Sequence, residues 1–303
     1  MEKINQLKPF RYIDILSDFG FKYIFGSELN KDLLIHFLNE IFKGEKCIND
    51  IQYSKNEFHG ESEHEGVVIF DLLCTNDSGE KFLIEVQRAR QDFFVQRSVS
   101  YVSRLISEQI PKGSRSEWRY NIKDVYFIAI LETFSVDSSD NLYIRTANIK
   151  YNETNKFFYN GLKFIFVELC KFAKEITELN SDLDNWLYVL KNMSRLDKIP
   201  LYLKKSIFQK LFQISEYSNL PKEKRTMYDL SIRHKWDYNN TIEYAKKIAR
   251  EEGVEAGIEK KNHEIISNLI CKFQMTDTEI AEIVGTDIGF VKEVREKLCS
   301  VGS

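Results

Sequence analysis

Apolar side chains at Leu33, Leu34, Phe37, Leu38, Ile41 and Phe42 recur every three or four residues, and Gly44 follows the last of them. That spacing predicts a helix within DFGFKYIFGSELNKDLLIHFLNEIFKG, with one face toward a core and a glycine stop. INDIQYSKNEFHG reads as a strand and ESEHEG as a charged loop. Val67 to Cys74 and Lys81 to Gln87 then form two apolar strands around a tight turn. QDFFVQRSVSYVSRLISEQI returns to helical period, and VYFIAIL is short and β-branched enough for a buried strand. NLYIRTANIKY and GLKFIFVEL read as a further, peripheral hairpin. The order helix, three strands, helix, strand describes an α/β core complete by about residue 170.

Beyond Ser181 the period is helical, in DLDNWLYVLKNM, PLYLKKSIFQKLFQI and YNNTIEYAKKIAREEGVEAGIEKK, with Pro200 and Pro221 as breaks. The expected division is an α/β domain over 1–175, a helical extension over 176–261 and a small helical tail over 262–303. In the tail, Ala281, Gly285 and Val291 have the spacing of a helix-turn-helix, and Thr276 is placed to cap its first helix. The second helix of that motif carries Asp287, Glu293 and Glu296 beside Lys292, Arg295 and Lys297, so its charges nearly cancel and offer phosphate little attraction. The tail's apolar positions, Ile280, Ile283, Val284, Val291 and Val294, instead favour partner helices. The expectation is homo-oligomerisation through the helical C-terminal region.

Composition sets outer limits. A chain of 303 residues, 43% hydrophobic, buries a full core. The net charge of -3, from 43 basic and 46 acidic side chains, creates no global field for nucleic acid, so a polyanion must be held by a local patch. Cys47, Cys74, Cys170, Cys271 and Cys299 are odd in number and far apart. That argues against a disulfide framework or clustered zinc ligands and points to a reducing, cytoplasmic setting. No stretch approaches the roughly 18 apolar residues of a membrane span, and no membrane partner is expected.

The chemistry sits in the hairpin. If Asp77, Ser78 and Gly79 form a three-residue turn with Gly79 left-handed, Asn76 pairs with Glu80, and counting outward sets Asp71 opposite Glu85. Leu83, Glu85 and Gln87 share one face of their strand, and Asp71 joins it. Two facing carboxylates repel each other and lose hydration unless a cation is present, and hard oxygen ligands of this kind suit Mg²⁺. The competing reading is a pair of strand acids neutralised by Arg88 or Arg97. Glu61, Glu63 and Glu65, with His59 and His64, read as members of a charged surface loop.

Three spaced blocks, SDFGFKYIFGSELNKDLLIHFLNEIF, FDLLCTNDSGEKFLIEVQ and QRSVSYVSRLISEQIPKG, resemble the bacterial PD-(D/E)XK nuclease family transposases, or recombination-promoting nucleases, from Ile13 to Glu132. The resemblance implies a restriction-endonuclease-like α/β core of helix, three-stranded meander, helix and strand, followed by an all-helical C-terminal region. It implies Asp71 and Glu85 as ligands of Mg²⁺, with Mn²⁺ a substitute. Gln87 stands where the superfamily's motif has lysine; an amide orients water or phosphate but brings no formal charge, so more of the electrostatic work falls to the metal.

Other residues extend the implied site. On the next helix Arg97, Tyr101 and Arg104 fall at i, i+4 and i+7, a face suited to gripping phosphate or, equally, to solvation among surface acids. Lys22 and Asp18 lie near the entry of the first helix, where superfamily members often place another active-site group. The implied activity is that of a metal-dependent DNA endonuclease of mobile-element type. The alternatives are a catalytically inactive nuclease fold that binds DNA or a protein partner, and a helical assembly factor with the α/β part as scaffold.

Overall fold

The structure is a computed structural model and describes residues 10–55, 57–58, 68–110 and 121–301. Helix α1 (Asp18–Phe25) begins where the Ser17 hydroxyl accepts the Gly20 N–H at 3.0 Å, and it stops at Gly26. A Cβ at Gly26 would lie 2.6 Å from the Lys22 carbonyl oxygen, so only glycine allows the chain to turn there. Helix α2 (Lys31–Ile41) follows, burying Leu33, Leu34, Phe37 and Leu38. The one helix expected from the spacing is therefore two. Gly44 does end the segment, with φ +83°.

The strands are β1 (Ile51–Tyr53), β2 (Glu57–Phe58), β3 (Val68–Ile69), β4 (Leu72–Asn76), β5 (Lys81–Gln87), β6 (Val125–Leu131), β7 (Ile144–Lys150) and β8 (Phe157–Glu168). Helix α3 (Phe94–Ser107) connects β5 to β6. Six strands form one sheet in the order β1-β4-β5-β6-β8-β7, and β2 pairs with β3 alone. Strands β1, β4 and β5 run antiparallel, β5, β6 and β8 run parallel, and β7 closes the edge antiparallel to β8. Only β7 of the expected peripheral hairpin is peripheral, because β8 lies between β6 and β7. The expected strand from Val67 is broken: Val68 and Ile69 pair with β2, and the main sheet resumes at Leu72. The loop residues His59, Glu61, Glu63, His64 and Glu65 lie outside the described residues.

The alternation of the strands supplies two cores. Phe82, Ile84, Tyr126 and Ile128 face α1 and α2, together with α4 (Asp182–Asn192) and α5 (Ser206–Ser215), around Phe25, Phe37, Trp186 and Phe208. Leu73, Leu83, Phe127 and Leu131 face α3 through Phe94, Val102 and Leu105. Glu85 shares the parity of Leu83, so the sheet delivers it to the α3 side.

The chain divides into two compact units, Met1–Ile232 and Arg233–Ser303. The division falls within helix α6 (Lys222–Phe273). The boundary expected at 175 lies inside the first unit, where α4 and α5 complete the same apolar core as α1 and α2, and that expected at 261 lies inside the second. In the second unit, α7 (Asp277–Val284) starts with a reciprocal capping box between Thr276 and Glu279 and ends at Gly285 with φ +69°. Helix α8 (Ile288–Val301) follows. Ile280, Val291 and Val294, expected to meet partner helices, are filled internally against Ala281 and Ile266, whereas Ile283 is exposed. Among the described residues no helix is long and apolar enough to cross a membrane. The whole is a mixed α/β fold compatible with a PD-(D/E)XK nuclease domain followed by a helical C-terminal region.

Candidate active site at the β4–β5 hairpin

The turn that sets the register is built as its residues dictate. Gly79 is left-handed at φ +82°, its N–H donates to the Asn76 carbonyl at 2.9 Å, and the Asn76 N–H donates to the Glu80 carbonyl at 3.1 Å. The Asn76 side-chain oxygen accepts the N–H groups of Ser78 and Glu80, each at 3.0 Å. The ladder then pairs Thr75 with Lys81 and Leu72 with Ile84. One step further sets Asp71 opposite Glu85.

There, side chains replace the regular ladder. Asp71 Oδ2 accepts the Val86 N–H at 2.8 Å, and Glu85 Oε1 accepts the Asp71 N–H at 3.3 Å. Each acid is thus fixed by the other strand's backbone, which accounts for the break before Leu72. Loss of hydration raises Asp71 above the usual carboxylate range against the Val86 hydrogen bond. The same loss, followed by the charge of Asp71, pushes Glu85 up to about 8. Among the described residues no Lys or Arg forms an ion pair with either acid. Arg88 donates to the Leu16 carbonyl at 2.9 Å and stands 3.9 Å from Glu132, while Arg97 turns to Gln87. Direct neutralisation by Arg88 or Arg97 is therefore not what the structure contains. Asp71 Oδ1 and Glu85 Oε2 have no hydrogen bond among the described residues. Two converging carboxylates with spare oxygens and no ion-pair partner fit a hard divalent cation.

The remaining predicted residues gather around this pair, with differences. The charges of Lys22 and Asp18 both act on Asp71, and the two side chains pair with each other at 2.7 Å. The Tyr101 ring meets Phe70 edge-on at 5.0 Å, and loss of hydration, followed by the charge of Glu85, raises its hydroxyl. Gln87 accepts from Arg97 Nη2 at 2.6 Å and donates to the Ala89 carbonyl at 3.0 Å, so both ends of its amide are engaged. Arg104, nearly two turns beyond Arg97, pairs with Glu108 at 3.5 Å. Gln91, expected within the helical stretch that begins QDFFVQ, instead lies in the connection before α3, and its side-chain oxygen accepts from Arg97 Nη1.

A second group of ligand-type residues lies on the helices. His36 and Glu40 of α2 and Asp182 of α4 bring one ligand atom each within 4.8 Å of one another. The Trp186 indole N–H donates to His36 Nδ1 at 2.9 Å, which puts the proton of a neutral imidazole on Nε2, the atom 3.7 Å from Asp182. A metal at Nε2 needs the other tautomer, which sets two N–H groups against each other at Trp186. Lys205 already pairs with Asp182, and Lys43 stands 3.4 Å from Glu40. This group is a hydrogen-bonded ion-pair cluster supporting the contact between α2 and α4.

Comparison with the curated proteins and with the solved structures gives no significant match. The family model described as PD-(D/E)XK nuclease family transposase matches residues 15–245, which takes in the hairpin carboxylates, α3 and the helices through most of the first half of α6. The order of elements around the facing acids and a match over most of the length agree, and the chain belongs to the PD-(D/E)XK nuclease family transposases.

Proposed function

We propose that this protein is a metal-dependent DNA endonuclease of mobile-element type, hydrolysing phosphodiester bonds at Asp71 and Glu85. Membership of the family supports a nuclease of mobile-element type. The observation that carries the finer reading is the pair itself: Asp71 and Glu85 face each other across β4 and β5, both raised by loss of hydration and neither ion-paired among the described residues. Asp71 and Glu85 are proposed to hold Mg²⁺, or Mn²⁺ in its place. Held there, an ion of this class would neutralise the two acids and would supply the charge that lowers the cost of generating hydroxide from water. The backbone N–H groups of Val86 and Asp71 hold the carboxylates in place beforehand, so little reorganisation is left for the reaction. Lys22, Arg97, Tyr101 and Arg104 are proposed to hold the DNA backbone. A cytoplasmic setting and a homo-oligomer formed through the C-terminal helices complete the proposal.

The test is cleavage of a DNA duplex by the full-length protein in Mg²⁺ or Mn²⁺. Activity is expected to vanish in Asp71→Ala, in Glu85→Ala and in excess EDTA, with unchanged far-UV circular dichroism. Full activity in any of the three overturns the assignment. Gln87 motivates one alternative, an inactive nuclease fold that only binds DNA, because its amide is engaged at both ends. Binding without cleavage by the wild-type protein selects that alternative.

A further inference from the structure

We infer that Arg97, held in place by Gln87 and Gln91, is the cation that acts on the scissile phosphate, in the role that the nuclease motif gives to a strand lysine. The inference rests on the nuclease reading above. The first observation is the direction of the Gln87 amide. Its nitrogen is tied to the Ala89 carbonyl at 3.0 Å, so its oxygen must face the other way, and there it accepts from Arg97 Nη2 at 2.6 Å. Gln87 therefore presents its acceptor oxygen to a guanidinium. The second is that Gln91 does the same from the other side, its oxygen accepting from Nη1. The third is the aromatic support: the guanidinium carbon lies 5.5 Å from the Phe94 ring centroid and 5.9 Å from that of Tyr101. Arg97 forms no ion pair with a carboxylate among the described residues, and its positive charge acts on Glu85. A guanidinium has five N–H donors, so two amide contacts leave others for phosphate oxygens.

The arrangement accounts for the glutamine. A lysine at 87 would set an ammonium against the Arg97 guanidinium, whereas an amide oxygen attracts it. During hydrolysis the water oxygen bonds to phosphorus as the bond to the leaving nucleoside oxygen breaks. One water proton ends on that leaving oxygen, and negative charge builds on the non-bridging oxygens. A fixed guanidinium beside Glu85 is placed to stabilise that charge. Gln87 and Gln91 are positioning residues that act through Arg97.

The experiment measures single-turnover cleavage at saturating DNA by the full-length protein, and DNA binding in EDTA by fluorescence anisotropy. Arg97→Ala is expected to lower the cleavage rate at saturating DNA about 100-fold, the usual scale for one stabilising donor, a loss that remains after any weakening of metal-free binding from its share in holding the DNA backbone. Arg97→Lys should retain part of the rate. Gln87→Ala should cost about tenfold in wild type and almost nothing in the Arg97→Ala background, because its effect passes through Arg97. The double change Gln87→Lys with Arg97→Gln should recover part of the rate lost in Arg97→Ala, since it returns the cation to the strand. If Arg97→Ala instead weakens metal-free binding, reduces its salt slope and leaves the saturated rate intact, Arg97 only grips the DNA backbone and the inference fails. A full Gln87→Ala loss in the Arg97→Ala background overturns the positioning role. Absence of cleavage by the wild-type protein fails the nuclease reading, and this inference with it. Normal cleavage by Arg97→Ala fails this inference alone.

Discussion

Glu85 moves from 4.5 to about 8 on folding, and the direction of that shift dictates how the metal-free protein responds to pH. Below about 4.5 the group is protonated in both the folded and unfolded states and contributes no penalty. As pH rises toward and through about 8, the unfolded chain ionises freely while the folded chain must place a second charge beside Asp71. Stability is therefore highest at the acid side of this window and is lost as pH rises across it, and Asp71, raised by the same loss of hydration, adds in the same direction. The expected outcome in EDTA is a melting temperature that falls between pH 5 and pH 8.5, by an amount on the order of a few kcal/mol of stability. Glu85→Gln should flatten the curve and melt above wild type at the alkaline end. Addition of Mg²⁺ should restore the wild type there and leave the variant unmoved. Calorimetry across the pH series decides it; a flat wild-type curve would show that the pair does not resist ionisation.

The hairpin of β4 and β5 shows which elements can be read from the chain and which cannot. Its register was legible because a glycine that must be left-handed and a strict period of two leave one way to pair the strands. Gly79→Ala should cost about 1 kcal/mol by forcing a side chain into that conformation, with Gly79→Asn recovering part of the loss. Urea unfolding measures both, and equal stability of all three proteins would mean that the turn relaxes. VYFIAIL was legible as a buried strand for a similar reason, since every position of β6 is covered by the sheet's two helical faces. The break at Phe70 and Asp71 was not legible, because it arises when Asp71 gives its carboxylate to the Val86 N–H, a contact between residues far apart in sequence. The split between α1 and α2 was missed because the apolar stripe continues through Gly26, and only the close approach of the Lys22 carbonyl shows that no Cβ fits. The same limit hid the contacts of Arg97. Helical spacing grouped it with Arg104, whereas its partners are Gln87 at a strand end and Gln91, which the helical reading took into the helix but which lies in the connection before α3.

At the scale of the whole molecule, the proposed homo-oligomer needs a surface, and the apolar positions of α7 and α8 cannot supply most of it. Ile280, Val291 and Val294 are already buried within the second unit. Helix α6 offers another face. Trp236, Tyr244, Val254, Ile258 and Ile265 fall on one side of it and are all exposed. The charges along the same stretch are segregated. Residues 233–250 carry five basic side chains against two acidic, and residues 251–264 carry five acidic against two basic. A second copy laid antiparallel sets basic half against acidic half at both ends, whereas a parallel copy sets like against like. The expected assembly is thus a dimer through antiparallel α6 helices. Val254→Glu combined with Ile258→Glu should yield a monomer in light scattering. Reversing Lys246, Lys247 and Arg250 to Glu in one chain, or Glu251, Glu252 and Glu255 to Lys in another, should prevent each from self-associating, while an equal mixture of the two should form a heterodimer. Self-association of either reversed chain on its own would rule out antiparallel pairing, and a monomeric wild type would remove the oligomer from the proposal.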